Sequence, residues 1–399
     1  MDNLTAIRPC WVEIQTRFLE DNYRFLCTLT ASQAELLAIV KANAYGHSLS
    51  LCAPAVVRAG ARWLGVTDVD EGVAARALCP ESRILVISGA FPGQGAAVVR
   101  NNLTAVVWEP WQLDELETAA RAAGAAPGSV PLHLEIDTGM SRQGVAPDQV
   151  GALMARFVPT SPLRLEGIMT HLYAADEADG AVTRSQLARL DEAVKRVEAA
   201  GIYPEWLNAG SSAALLAGET GAITALAARH GMKAMLRPGL ALYGLANEFA
   251  PGFTSAEPAS LTAARAHLRP VLQWKTRVAC VRRIPAGAAV GYNGTFVAAK
   301  PMRLALVAVG YADGLDRHLG NRFSLLVRGQ RAPLVGRVSM DQAVVDVTEI
   351  PAVKAGDEVV ILGAQGDQTI TAFDHAKATA TIPWEVFTRI GPRVRRVAV

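Results

Sequence analysis

Through its first 245 residues the chain alternates short apolar runs with helical patterns, and beyond about residue 270 the hydrophobic period changes to two. The apolar runs fall at 36–40, 63–66, 84–87, 105–108, 132–136, 163–169 and 234–236, with a weaker one around 203–207. Each has the length and composition of a buried strand. The clearest helix between them is 184–200. There Leu187, Leu190, Val194 and Val197 share one stripe, and Asp191 and Lys195 stand four apart as an ion pair. Eight strand–helix units predict a (β/α)8 TIM barrel over 1–246. A doubly wound open sheet fits less well, because it does not account for eight units and the dinucleotide-binding glycine fingerprint is absent.

Residues 247–270 lapse into Pro, Gly, Ser and Ala and read as a linker. From 271 to 399 the pattern predicts a C-terminal all-β domain. Leu272, Trp274, Thr276, Val278 and Cys280 fall on one face of its first strand, with Gln273, Lys275 and Arg277 on the other. Further strands are expected at 303–309, 324–327, 333–338, 343–347 and 358–362, with a turn at Arg328-Gly329-Gln330.

Charge and cysteine usage narrow the function classes. With 39 Lys plus Arg against 37 Asp plus Glu, the net charge of +2 argues against nucleic acid as a partner. No uncharged run reaches the ~18 residues of a membrane span. The first 14 residues mix acidic and basic side chains where a signal peptide needs an apolar core, so a cytoplasmic protein is expected. Cys10, Cys27, Cys52, Cys79 and Cys280 are odd in number and scattered, which predicts reduced thiols and neither a disulfide framework nor a zinc site.

Chemistry concentrates first at Lys41, which ends the first apolar run in Lys41-Ala42-Asn43-Ala44-Tyr45-Gly46-His47. Strand ends at the C-terminal face of such a barrel are where active sites are built. A partly desolvated amine there has a lowered pKa and serves as nucleophile or base, as Schiff-base chemistry requires. The period alone leaves open a lysine that merely reaches off a strand end. The segment from Val40 to His47, however, resembles the pyridoxal-phosphate lysine motif of the alanine racemase family. Asp137-Thr138-Gly139-Met140-Ser141-Arg142-Gln143-Gly144, Arg237-Pro238-Gly239-Leu240-Ala241-Leu242-Tyr243-Gly244, Gly310-Tyr311-Ala312-Asp313-Gly314 and Val335-Gly336-Arg337-Val338-Ser339-Met340-Asp341 resemble that family's later motifs in the same order. The resemblance spans both predicted domains, and the family's barrel plus β-domain agrees with the period reading.

The resemblance implies pyridoxal 5′-phosphate held covalently by Lys41. Tyr45, Ser212 and the backbone of Gly239 and Leu240 would bind its phosphate; backbone N–H groups suit an anion. Arg237 would face the pyridine nitrogen, donating a hydrogen bond but surrendering no proton, which leaves the ring a weaker electron sink. Racemisation removes a proton from one face of Cα and delivers one to the other. Lys41 would serve one face. Tyr292, in Gly291-Tyr292-Asn293-Gly294-Thr295, resembles the family's second base, which comes from the partner subunit, so a homodimer with shared sites is implied. A tyrosine of ordinary pKa ~10 needs help to act as a base near neutrality; His171, with Arg237 behind it, would supply it. Arg142 would grip the substrate carboxylate or the cofactor's phenolic oxygen, assisted by the Met340 backbone N–H. Tyr311 and Asp341 would line the entrance from the second subunit.

Three departures matter. Glu135 stands where many family members carry a carbamylated lysine; it already bears a carboxylate, so no carbon dioxide adduct forms, and its reach to Arg142 is left open. Pro392 replaces a tyrosine that narrows the pocket, and Ser211 replaces an asparagine. The implied activity is interconversion of L- and D-alanine, with small amino acids as substrates. A serine or broad-specificity racemase is the alternative that Pro392 raises. A non-catalytic pyridoxal-phosphate carrier is disfavoured by the β-domain and Tyr292. A decarboxylase is disfavoured by the absence of its cysteine-containing motif near Ser339-Met340-Asp341.

Overall fold

The computed structural model describes residues 8–177, 180–246, 248 and 258–399. By internal contacts they form two compact units: residues 17–44 with 49–269, and residues 8–16 with 45–48 and 270–399.

After a first strand, β1 (Cys10–Ile14), which belongs to the second unit, the chain builds eight strands of the first. They are β2 (Ala34–Ile39), β3 (Trp63–Val66), β4 (Arg83–Val86), β5 (Thr104–Val107), β6 (Val130–Glu135), β7 (Leu163–Met169), β8 (Trp206–Ser211) and β9 (Lys233–Arg237). They close into a barrel, each parallel to its neighbours, with β9 returning to β2. A parallel strand covered by helices is buried on both faces, so it carries a continuous apolar run instead of an alternation. β5 and β6 are buried along their whole lengths. The helix Ala181–Ala199 packs Leu187, Leu190, Val194 and Val197 inward and closes the Asp191–Lys195 ion pair at 2.6 Å.

The second unit is antiparallel around β10 (Leu272–Ile284), which pairs with β1, β13 (Met302–Val307) and β17 (Glu358–Gln365). Two short strands, β11 (Ala289–Val290) and β12 (Phe296–Val297), form a separate hairpin. β14 (Ser324–Val327) and β15 (Gln330–Pro333) meet in a hairpin at the predicted 328–330 turn. Arg328 and Gly329 both take positive φ there, 52° and 75°, as a two-residue hairpin loop requires. β16 (Ala343–Asp346) pairs with β13, β18 (Gln368–Ile370) with β17, and β19 (Arg395–Ala398) lies parallel to β1.

Several expectations change. The boundary that assigned all of 1–246 to the barrel differs from the contacts, because β1 pairs with β10, Cys10 opposite Thr276 and Ile14 opposite Leu272. Cys10, Val12 and Ile14 alternate inward with period two, the signature of a sheet with one face buried. Cys280 does not share the buried face of Leu272, Trp274, Thr276 and Val278. A register irregularity between Val278 and Cys280 turns it outward, since one extra residue reverses every following side chain. The strand expected at 333–338 ends at Pro333, leaving Leu334 one isolated bridge to Val345. Of the 247–270 segment, 247 and 249–257 lie outside the described residues, and Ala259–His267 is helical with Leu261 and Ala264 buried. Among the described residues no helix is long and apolar enough to cross a membrane.

Candidate active site

Lys41 stands just past the end of β2, where Val40 N–H still donates to the Gly65 carbonyl at 2.8 Å. The chain then turns through four consecutive left-handed residues, Ala42, Asn43, Ala44 and Tyr45, with φ from 52° to 57°. None is glycine, and each costs roughly 1–2 kcal/mol relative to a right-handed conformation. Such strain persists only where the surroundings over-determine it, and it collects at functional sites. Asn43 supplies part of the restraint: its Oδ1 accepts from Leu49 N–H at 2.8 Å. Its own N–H donates to Glu71 Oε1 at 2.8 Å, and Glu71 Oε2 accepts from Thr67 N–H at 3.0 Å. Burial lowers the Lys41 amine below its usual range, the Arg142 and Arg237 charges push it further, and Glu71 opposes them.

Arg237, at the end of β9, is buried and locked. Its Nη1 donates to the Asn208 carbonyl at 2.9 Å and to Asn208 Oδ1, and its Nη2 donates to the Thr170 carbonyl at 2.8 Å. Nη2 also lies 3.4 Å from His171 Nδ1. A guanidinium donates only to a ring nitrogen with a free lone pair, so on this contact the His171 proton resides on Nε2. Burial pushes His171 down to about 3, helped by the Arg237, Arg142 and Lys41 charges, and the ring is neutral near pH 7. Burial also lowers Arg237 to about 10, which leaves it charged.

Arg142 is exposed on the 137–144 loop. Asp137 Oδ1 holds that loop by accepting from Gly139 N–H at 2.9 Å and Ser141 N–H at 3.1 Å. At the loop's base the Val145 and Glu135 backbones join. Glu135 is buried, and the partner it meets is Gln143, which donates to Oε2 and to the Ile87 carbonyl. Burial pushes the Glu135 carboxyl up to about 7 against the Gln143 hydrogen bond and the two arginine charges.

Between β8 and β9 a hydroxyl and two amides converge. Ser212 Oγ accepts from Gly239 N–H at 2.9 Å and Ala241 N–H at 3.1 Å. Leu240, whose amide lies between those two in sequence, is buried at the start of the turn that follows. Ser211 precedes the short helix Ser212–Leu216 and makes no side-chain cap bond to it. Tyr45 is buried at the end of the left-handed turn, its phenol raised to about 12 by burial. Asn208 Nδ2 is a buried donor without a protein acceptor, the kind of unmet group that a bound ligand satisfies. The barrel end therefore offers an amine of lowered pKa, fixed guanidinium N–H groups, and a hydroxyl with converging amides. That donor set fits an aldehyde cofactor bearing a phosphate.

The remaining expected residues lie on the second unit. Tyr292 is 67% exposed in the turn after β11, Tyr311 is 43% exposed and Met340 53%. Asn321 braces the Tyr292 turn by donating to the Thr295 carbonyl and accepting from Gly336 N–H at 2.6 Å. Motif reading did not single out Glu71, Asn43, Gln143 and Asn208. Three of the four partner groups outside their own motif, and Glu71 in particular looks like an ordinary first-turn helix acid after the Asp68 cap.

Residues 14–247 match the family model described as alanine racemase, N-terminal domain, and residues 271–398 the alanine racemase, C-terminal domain. An alanine racemase of Symbiobacterium thermophilum is 37% identical over 395 residues, 99% of this chain and 98% of its own. The crystal structure of an alanine racemase from D-cycloserine-producing Streptomyces lavendulae superposes with a TM-score of 0.85 at 34% identity, covering 98% and 97% of the two chains. One from Bartonella henselae, with covalently bound pyridoxal phosphate, superposes at 0.80 with 27% identity, covering 98% and 99%.

Proposed function

The chain belongs to the alanine racemase family, and from that premise we propose that it interconverts L- and D-alanine as a cytoplasmic homodimer using pyridoxal 5′-phosphate. Bound at the barrel end, the cofactor supplies an electron-accepting ring that acidifies the Cα proton of an amino acid joined to it. The chain's residues do the rest. Tyr45, Ser212 and the amides of Gly239 and Leu240 take the phosphate on family likeness, and the closeness of Ser212 to the Gly239 amide, 2.9 Å, supports that grouping. Arg237, anchored on Asn208 and Thr170, holds the ring nitrogen by an N–H it keeps. Arg142 carries the exposed guanidinium of the Asp137–Gly144 loop and takes the substrate carboxylate or the cofactor's phenolic oxygen, with the Met340 backbone N–H assisting at the carboxylate.

Lys41, whose amine would hold the cofactor's aldehyde carbon, would move a proton at one face of Cα. Its lowered pKa leaves a larger share of neutral amine near pH 7 than a free lysine has. Tyr292 of the partner subunit serves the opposite face, and its exposure on an isolated protomer suits that role. Neutral His171 offers Nε2–H as the donor that stabilises the phenolate. Tyr311 and Asp341 line the entrance from the second subunit. The observation that carries this reading is the Lys41 amine, set by a strained turn in the field of two guanidinium groups.

The test is incubation of cofactor-loaded protein with L-alanine in deuterium oxide. D-alanine bearing deuterium at Cα is expected. Carbon dioxide release, or cofactor binding with no exchange, points instead to a decarboxylase or a carrier. Tyr292→Phe is expected to slow exchange from one enantiomer by ~10²–10⁴-fold, the range of a general base, while cofactor absorbance persists. A panel of L-amino acids decides the serine or broad-specificity reading, which rests on Pro392 in place of a tyrosine.

A further inference from the structure

In the second unit one carboxylate joins three separate segments. Asp313 is fully buried, and its two oxygens accept four donors: Arg8 Nε at 3.1 Å, Arg8 Nη2 at 2.7 Å, Arg393 Nε at 2.7 Å and Gly310 N–H at 2.9 Å. Both arginines then reach the same neighbour. Arg8 Nη2 donates to the Asp341 carbonyl at 2.6 Å, and Arg393 Nη2 pairs with Asp341 Oδ1 at 2.8 Å. The backbone repeats the pattern. Tyr311 N–H donates to the Ser339 carbonyl and Ala312 N–H to the Met340 carbonyl, both at 3.0 Å, while Gly391 N–H donates to the Asp313 carbonyl at 3.0 Å.

Two glycines show how tightly these segments close. A Cβ on Gly310 would lie 2.3 Å from the Met340 carbonyl oxygen; one on Gly314, at φ 107°, would lie 2.5 Å from that of Arg389. Both obstacles are backbone, so neither yields to a rotamer change. The side chains of Tyr311 and Met340 nevertheless remain exposed, presented from a rigid base. Burying a carboxylate against two arginines contributes little net stability compared with apolar packing; what it adds is direction.

We propose that Asp313 is a positioning residue. Through Arg8 and Arg393 it fixes Tyr311, Met340 and Pro392 as one body, and so sets the size of amino acid admitted by the entrance wall that Tyr311 forms in the partner subunit's site. This rests on the racemase reading, in which those residues meet substrate, and it adds a residue with no contact to substrate. Small displacements of such groups change rates steeply, because reacting atoms must be held close and aligned.

The experiment uses cofactor-loaded Asp313→Asn, normalised by bound cofactor and checked for dimer by gel filtration. Its amide N–H₂ faces donors where the wild type offers an acceptor. KM for L-alanine is expected to rise about tenfold with kcat within about threefold, and the alanine-to-serine ratio of kcat/KM to fall. Hydrogen exchange at the Tyr311 and Ala312 amides is expected to quicken at least about tenfold, while β10 is unchanged. Unchanged exchange overturns the clamp whether or not the protein is active. Quickened exchange with unchanged KM and selectivity in an active protein overturns the positioning role. A wild type that racemises no amino acid overturns the functional reading and the role with it, while exchange still reports the clamp. Should Asp313→Asn not fold, Asp341→Asn removes only the outer link to Arg393, and a smaller shift in the same direction is expected; no shift counts against the proposal.

Discussion

The two mouths of the barrel differ in how their charges are settled. At the N-terminal mouth a cavity of about 710 Å³ is lined by Trp63, Trp206, Arg62, Arg83 and Lys233 among others. Each of those three cations has a carboxylate: Arg62 pairs with Glu35, Arg83 with Glu166, and Lys233 with Glu205 at 3.0 Å. Arg83 also lies 4.1 Å over the Trp63 ring. At the C-terminal mouth, Arg142 and Arg237 add to burial in lowering Lys41 against Glu71, the three cations add to burial in lowering His171, and the buried acid Glu135 is itself pushed up to about 7 by burial. A cavity of that size directs attention to the lower mouth. Charge directs it to the upper one, because a cluster of cations only partly offset by Glu71 and Glu135 attracts an anion, and perturbed titrations gather where chemistry is done.

The contrast breaks most sharply at its lysines. Lys41→Ala is expected to lower racemisation by about 10³-fold or more and to abolish the visible absorbance of lysine-bound pyridoxal phosphate, with the circular dichroism unchanged. Lys233→Ala, an exposed residue paired with exposed Glu205, is expected to leave kcat within about twofold. Equal losses from the two variants would remove the distinction between the mouths.

Glu135→Gln tests the upper mouth's charge through pH. The folded carboxyl stands at about 7 against an ordinary 4.5, chiefly through burial. A carboxyl raised on folding binds its proton more tightly in the native state, so its contribution to stability is full below 4.5 and is lost as pH rises through 7. The difference is worth roughly 3 kcal/mol, at about 1.36 kcal/mol per pH unit. The Gln variant cannot ionise and its Oε1 still accepts from Gln143. Its stability relative to wild type, read from denaturant midpoints, is expected to grow from near zero at pH 4.5 to that amount at pH 8. A flat difference means that Glu135 is ionised throughout and that the upper mouth is compensated after all.

At the lower mouth Glu166 is buried and accepts from Arg83 at 2.5 Å and Arg164 at 2.9 Å. Both arginines are partly exposed and regain water when released. Glu166→Gln is therefore expected to lose only about 1–2 kcal/mol of stability, with kcat and KM unchanged. A fall in kcat at constant stability would tie the two ends of the barrel together functionally.

What could be read before the structure follows the same physics. Seven of the eight barrel strands were legible because parallel strands buried on both faces are continuous apolar runs; β8 carries Asn208, Gly210 and Ser211, and the weak run at 203–207 meets it only at Trp206 and Leu207. β1 was not legible, since five residues alternating as Cys10, Val12 and Ile14 signal a strand without saying which sheet it joins, and its partner lies more than 250 residues on. Lys41, His171, Ser212 and Arg237 sit within contiguous motifs, and the structure gathers them, with Arg142, on adjoining strand ends of one barrel. Gln143 and Glu71 were not legible as site residues. Gln143 owes its contact with Ile87 to the barrel's closure, and Glu71 meets Asn43 only because β2 and the helix after β3 are neighbours in space.

The smallest effect probes how the upper mouth stores its strain. Asn43 contributes in two ways, a residue type that tolerates left-handed backbone and a side-chain acceptor for Leu49 N–H. Asn43→Ala removes both, and a loss of about 1–2 kcal/mol is expected from one hydrogen bond and a less tolerant residue. Asn43→Gly removes only the acceptor, since glycine enters this conformation freely, so it is expected to recover roughly half of that loss. Lys41 hangs on the same turn, and the fraction of covalently bound cofactor is expected to follow the order wild type, Gly variant, Ala variant at limiting pyridoxal phosphate. A Gly variant no better than Ala in both readouts would assign the restraint to the hydrogen bond alone, and the left-handed run would then be a consequence of the Asn43–Leu49 closure and not an independent store of strain.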